Sequence, residues 1–273
     1  MTITVVDAFA AGPFVGNPAA VCLLDAPAPE AWMRALAREM NLSETAFLTP
    51  GADGAYGLRW LTPDVEVDLC GHATLASAHV LYESGQLAQD VPARFDTKSG
   101  RLTVRRSADA TYVMDFPATP PTDASAPAVF SDAFAVQPQW VGRTVFDLFV
   151  VLDHAESVRQ LAPDLGALAR LDARGVIVTA PAGDAEDIDV VSRFFAPAAG
   201  VPEDPVTGSA HCAIGPYWAR RLGRDRLSCH QASARGGHVD VHVQGDRVEL
   251  TGTAVTIYHA TLTPAATPPS GRG

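Results

Sequence analysis

The sequence predicts an α/β (α+β) protein of two pseudo-symmetric halves, each a curved mixed β-sheet or barrel wrapped around one central helix. Three observations predict it. A weak internal repeat runs through the chain, each copy carries one strong helical stretch rich in small residues, and short β-branched runs of period two accompany both.

The repeat is clearest at two arginine-aromatic pairs. "RWLTPDVEVDLCGHATLASAHVL" begins at Arg59 and "RFFAPAAGVPEDPVTGSAHCAIGPYW" at Arg193. Each runs Arg, aromatic, apolar, small residue, Pro, then a loop ending in Asp68 or Asp204, then a glycine, a polar residue and an alanine. The flanks add three weaker likenesses: "VVDAF" with "VFDLF", "SGRLTVRR" with "GGHVDVHV", and "YVMDFPA" with "RVELTGT". Between the copies, "PATPPTDASAPAVF" has the composition of a linker. The expected organisation is therefore an N-terminal half over 1–118, a linker region over 119–144, a C-terminal half over 145–263 and a flexible tail over 264–273.

Within each copy, "TVRR", "TYVMDF", "HVDVHV" and "AVTIYHATL" alternate as half-buried strands do. One helix is expected from Gly71 to Ser84, stopped by Gly85, and another from Gly208 to Arg221, stopped by Gly223. Ala73, Ala76 and Ala78 in the first, and Ala210, Ala213 and Gly215 in the second, let backbone approach backbone, so each helix belongs inside its own sheet.

Composition excludes several function classes. Apolar residues make up 47% and charged residues 19% of 273 residues, enough for a sizeable core. The net charge of −11, with no basic run longer than a dipeptide, argues against nucleic acid. The N-terminus lacks a basic leader and is broken by Asp7, Gly12 and Pro13, and no stretch reaches the roughly 20 apolar residues of a spanning helix, so a cytoplasmic protein without a membrane partner is expected. Cys22, Cys70, Cys212 and Cys229 are scattered, with no CxxC, and read as reduced thiols.

Each helix opens on a Gly next to a polar side chain, "CGHA" at Cys70–Ala73 and "TGSA" at Thr207–Ala210. A helix start offers unpaired N–H groups and partial positive charge, which suit a carboxylate or oxyanion. Two starts related by duplication imply a pair facing one cleft. Taken alone, Asp204 reads as a turn aspartate held extended by Pro205, and His72 as a structural histidine whose pKa the helix dipole lowers.

As an ordered set, "VDAFAAGPFVGNPAAVCLL", "MNLSETAFL", the two arginine-aromatic segments and "VELTGTAVTIY" resemble the phenazine-biosynthesis PhzF-like isomerases, whose fold is that of diaminopimelate epimerase. The resemblance implies an active site between two halves, no cofactor, no metal, a small carboxylic-acid substrate and homodimer formation. It assigns Glu44 of "NLSETAF" as the acid/base, with Gly71, His72, Asp204, Gly208 and Ser209 lining the substrate. The chain departs from the family at "HQASARGGHVDV", where a glutamine-glycine pair is expected. The chemistry is coherent: moving a double bond takes a proton from one carbon and returns one to another, and a single carboxylate serves both if the carbons share a face.

Rival chemistries fit less well. Epimerases of this fold use a thiol at each helix start; here Cys70 occupies the first and Thr207 the second. Cys229, His230, His238 and His242 lack the close pair of a zinc site, and no GxSxG elbow surrounds Ser209. An amino-acid epimerase or racemase and a non-catalytic binder of small acids stand as alternatives.

Overall fold

A computed structural model of the chain describes residues 1–127, 130–134, 136–183 and 186–268. The chain forms two compact units, Met1–Asp115 with Gly252–Gly273, and Phe116–Thr251. The first holds β1 (Thr2–Ala8), β2 (Asn17–Leu23), α1 (Glu30–Met40), β3 (Glu44–Pro50), β4 (Tyr56–Leu61), β5 (Glu66–Val67), α2 (Gly71–Glu83), β6 (Ala93–Thr97), β7 (Gly100–Arg106) and most of β8 (Tyr112–Pro117). The second holds β9 (Thr122–Asp123), α3 (Phe130–Ala133), β10 (Trp140–Arg143), β11 (Leu148–Val151), α4 (Ala155–Arg159), α5 (Leu165–Leu168), β12 (Val176–Pro181), β13 (Val190–Ala196), β14 (Val201–Asp204), α6 (Gly208–Leu222), β15 (Arg226–Gln231), β16 (Gly237–Gln244) and β17 (Arg247–Gly252). The last strand, β18 (Ala254–Thr261), returns to the first unit.

Strand pairing repeats element for element. In the first unit β1/β2 is antiparallel, β2/β3 parallel, β3/β4 and β4/β5 antiparallel, β4/β6 parallel, and β6/β7 and β7/β8 antiparallel. The second unit gives the same series from β10/β11 to β16/β17, with β13/β15 as the parallel crossover around α6. A parallel pair needs a long connection, and the helix supplies it in both units.

The unit boundaries differ from the linear ones read in the sequence, for a reason in the pairing. After β8 the chain adds β9 to β10 of the second repeat, and after the second repeat it adds β18 to β1. Each repeat therefore ends in a strand that belongs to the other unit. Residues 119–144, expected as linker, contain β9, α3 and β10, while Ala128, Val129 and Ala135 within them lie outside the described residues. Of the expected tail, Pro264–Ala266 forms a 3₁₀ turn whose Ala266 carbonyl accepts from Trp32 Nε1 at 2.9 Å, and residues 269–273 lie outside the described residues. The likeness of "VVDAF" to "VFDLF" pairs β1 with residues that open β11, whose counterpart is β2; the other two flanks fall on matching strands, β7 with β16 and β8 with β17.

Both central helices are buried on nearly all sides. In α2 every residue from His72 to Ala78 is buried, and the polar ones return to the helix itself: Thr74 Oγ1 donates to the Cys70 carbonyl at 2.5 Å and Ser77 Oγ to that of Ala73 at 2.7 Å. In α6 a Cβ on Gly215 would lie 2.6 Å from Val241 Cγ1, so β16 approaches the helix at a distance only glycine permits. Pro216 has no N–H for the carbonyl four residues back, and that Cys212 carbonyl accepts from the Thr119 amide at 2.9 Å instead. Gly223, at φ +68°, closes α6 with a left-handed cap, as its position in the sequence predicts.

Helix α1, not anticipated, packs Met33, Leu36 and Ala37 into a core with Ile3, Val5, Ala20, Cys22, Phe47 and Leu61. The second unit builds its own core from Leu148, Val150, Val176, Val178, Val191 and Phe195 under α3, α4 and α5. Among the described residues no helix is long and apolar enough to cross a membrane.

Candidate active site

The segment "NLSETAF" is the junction between α1 and β3. Asn41, at φ 49°, caps α1 in the left-handed conformation and donates its N–H to the Ala37 carbonyl at 3.1 Å. Three residues later Glu44 opens β3, paired with Ala19 of β2. The side chain is 14% exposed and reaches the second residue of α2, where Glu44 Oε2 lies 3.0 Å from His72 Nε2. The distance is that of an ion pair, yet Oε2 is buried and receives no well-directed hydrogen bond from the described residues.

Behind His72 runs a chain of neutral donors. Ser43 Oγ donates to Asn17 Oδ1 at 3.1 Å, and Asn17 Nδ2 lies 3.1 Å from His72 Nδ1. With the amide oriented this way Nδ1 is an acceptor, so the imidazole keeps its hydrogen on Nε2, facing Glu44. Asn17 is set by the residue before it: Gly16 has φ +73°, and a Cβ there would stand 2.3 Å from the Ala8 carbonyl oxygen.

Burial works against a charged His72, but the Glu44 carboxylate facing the ring at 3.0 Å favours the cation, and the pKa of His72 is raised above the ordinary value. This reverses the direction expected from the helix dipole alone. Either the neutral tautomer or the cation puts a hydrogen on Nε2, so the ring faces Glu44 as a donor in both states. The Cys70 thiol, 3.5 Å from His72 Nδ1, is buried; burial, with help from the Glu44 charge, pushes its pKa up to about 11, which leaves it a thiol at neutral pH.

One ligand atom each from Glu44, Cys70 and His72 lie within 4.8 Å of one another. A divalent cation held there would require the Cys70 thiolate, against the direction in which burial drives the thiol. Among the described residues Cys229, His230, His238 and His242 do not form such a group.

In the second unit, the start of α6 is tied to the loop before it. Thr207 Oγ1 donates to Asp204 Oδ2 at 2.6 Å, so Asp204 does serve a turn. Gln231, at the end of β15, accepts from the Thr207 amide at 2.9 Å and donates through Nε2 to the Asp204 carbonyl at 2.7 Å, pinning both ends of that turn. Gly208 is buried, and Ser209, second residue of α6, is partly open, as is Gly71 at the start of α2. Ser209 Oγ accepts from Arg174 Nη2 at 3.0 Å.

The structure thus gathers Glu44, Gly71 and His72 in the first unit, and Asp204, Gly208 and Ser209 in the second. Sequence reasoning missed Asn17, Arg174 and Gln231. Asn17 follows a glycine in "VGNPAA" and Gln231 sits in the stretch that departs from the family pattern, so both carried a faint signal; Arg174 carried none.

Comparison with known proteins agrees with this architecture. A family model described as "Phenazine biosynthesis-like protein" matches residues 6–260. A protein of Halalkalibacterium halodurans named an uncharacterized isomerase is 48% identical over 261 residues, 95% of this chain and 97% of the relative. The crystal structure of a phenazine biosynthesis protein of the PhzF family from Enterococcus faecalis superposes with a TM-score of 0.89 at 41% identity, covering 96% of this chain and 99% of the other. A hydroxyproline epimerase from Agrobacterium vitis shares the fold alone, with a TM-score of 0.61 at 14% identity over 95% of this chain and 91% of the other. The fold is therefore the diaminopimelate epimerase-like one, and the chain belongs to the phenazine biosynthesis-like protein family.

Proposed function

We propose that the protein is a cofactor-independent isomerase that moves a proton, and with it a double bond, in a small carboxylic acid, with Glu44 as the acid/base. The observation that carries this reading is Glu44 Oε2: a buried carboxylate oxygen with a free lone pair, held beside a ring N–H and not satisfied by a directed bond. A carboxylate kept only for stability would have its oxygens filled; a base needs one of them available.

In this reading Glu44 takes a proton from a carbon next to a carboxylate or enol, whose group receives the electron pair. It then returns the proton to a second carbon on the same face and is a carboxylate again. His72 Nε2–H faces the carboxylate as it gains and loses the proton and keeps it aimed, and the Ser43–Asn17 chain keeps the ring aimed. Asp204, Gly208 and Ser209 hold the anionic part of the substrate, with the amides of the α6 start. The relatives named isomerases support the reaction class, and the Cys70 pKa of about 11 disfavours a thiol base.

The test is proton exchange. Small unsaturated and amino carboxylic acids are screened in heavy water by nuclear magnetic resonance, and the exchanging compound is then given to Glu44→Gln. Exchange should fall by about 100-fold or more while the compound still binds. Exchange near the parent rate in Glu44→Gln would refute the reading.

A further inference from the structure

We propose that Arg174, tied down by Asp147, positions the Ser209 hydroxyl as a donor and so makes the second unit selective for a substrate carboxylate. The inference rests on the reading of Ser209 as a substrate residue and adds to it a specificity-determining cation. Its starting point is the repeat. In the first unit the residue that opens β3, Glu44, meets the second residue of α2, His72. In the second unit the corresponding strand is β12 and the corresponding helix residue is Ser209, and the side chain that meets it comes from Arg174, two positions before β12 opens. By register Gly175 stands where Glu44 does, since Phe47 faces Arg59 and Val178 faces Arg193, and the neighbouring Arg174 brings a cation to the second helix residue where the first unit brings a carboxylate.

Arg174 is fixed from several directions. Nε donates to Asp147 Oδ1 at 2.9 Å and Nη2 to Asp147 Oδ2 at 2.6 Å, a two-pronged pair in which the Asp147 side chain is only 3% exposed. The guanidinium carbon lies 5.2 Å from the ring centre of Phe146 and 5.6 Å from that of Phe194. The Arg174 amide donates to the Phe146 carbonyl at 2.9 Å, which anchors the backbone as well.

This geometry decides what Ser209 can do. A hydroxyl has one hydrogen and two lone pairs; with one lone pair taken by a guanidinium N–H, its own O–H points elsewhere and is polarised by the adjacent cation. Such a group favours an anionic acceptor over a neutral one. The two Nη1 hydrogens have no protein acceptor among the described residues, on a side chain 40% exposed, and offer a second, charge-assisted contact. A carboxylate fits this pair of donors, and a carboxamide satisfies it less well.

The experiment measures the ratio of affinities for cyclohex-2-ene-1-carboxylate and its carboxamide, read from the backbone amide signals of Gly208 and Ser209. The parent should prefer the carboxylate by at least about 10-fold. Arg174→Lys keeps a charge for Asp147 but loses the fork, and Arg174→Met with Asp147→Asn removes the pair without stranding a buried carboxylate. Both should bring the ratio towards one, and Arg174→Lys should change it less in the presence of Ser209→Ala than alone, because then only the Nη1 contact is left to lose. A loss of structure would weaken both ligands alike and leave the ratio unmoved. A parent without preference, or variants that keep the preference while binding the carboxamide as tightly as the parent does, overturns the assignment. Glu44→Gln should keep the ratio and lose only proton exchange, so failure of the acid/base reading and failure of this one show in different measurements.

Discussion

Glu66 is the clearest place to ask whether the charges around the first helix start stabilise the fold. The residue forms β5 with Val67, four residues ahead of Cys70, and pairs with Leu61. Its side chain is 7% exposed and receives Arg59 Nε and Nη2, each at 2.8 Å, and Lys98 Nζ at 2.7 Å. The Arg59 hydrogen bonds, opposed by burial and aided by Lys98, lower its pKa from 4.5 to about 2. A folded value below the unfolded one means stability that is fully present above pH 4.5 and is lost as pH falls towards 2. At about 1.4 kcal/mol per pH unit the shift corresponds to about 3 kcal/mol. Arg59 and Lys98 are 36% and 54% exposed, so solvent screening brings the expected figure to about 2 kcal/mol. Urea unfolding followed by circular dichroism should show Glu66→Gln less stable by about that amount at pH 7, and the gap should fall below half by pH 3. Equal stabilities at pH 7, or a gap undiminished at pH 3, would refute the reasoning.

Two further predictions concern the neighbours of Glu44. Cys70→Ser should keep proton exchange within about fivefold of the parent, and a loss as complete as that of Glu44→Gln would move the base to the thiol. The His72 ring should titrate above 6.5 in a nuclear magnetic resonance experiment and move down in Glu44→Gln; its contribution to stability is full below pH 6.5 and fades as pH rises through the folded value, so a parent midpoint below 6.5 contradicts the geometry.

What the sequence made legible follows from where the information is local. The ends of α2 and α6 could be read to within a residue or two because Gly71, Gly85, Gly208 and Gly223 punctuate them and the intervening residues are small. The strands β7, β8 and β16 showed their period of two for the same reason, whereas β18 forms a strand whose burial does not alternate. Helix α1 was equally local, since Met33, Leu36, Ala37 and Met40 follow helical spacing, but it starts after Pro29 with no capping side chain to mark it. The crossing of β9 and β18 into the opposite repeats was not legible. A strand's partner is set by hydrogen bonds to residues far away in the chain, and Thr2 with Thr261 share no pattern that announces the pair.

The site divides in the same way. Glu44 and His72 stood out because each sits in a short ordered motif, and Asp204, Gly208 and Ser209 because one segment holds all three. Arg174 could not stand out. Its meaning depends on Asp147, 27 positions earlier, and Ser209, 35 positions later, and "DARGVIV" without those partners is an arginine before a buried strand. Even the repeat conceals it, because the two copies are alike in backbone pairing while Glu44 is matched by Gly175, and the side chain that meets the helix comes from one position earlier. A search for likeness between the copies weights the residues that stayed the same, the glycines and the arginine-aromatic pairs, and these build the scaffold. The residues that tell one half from the other lie where likeness fails, and they become visible only when β3 is set beside β12 and the second residue of α2 beside that of α6.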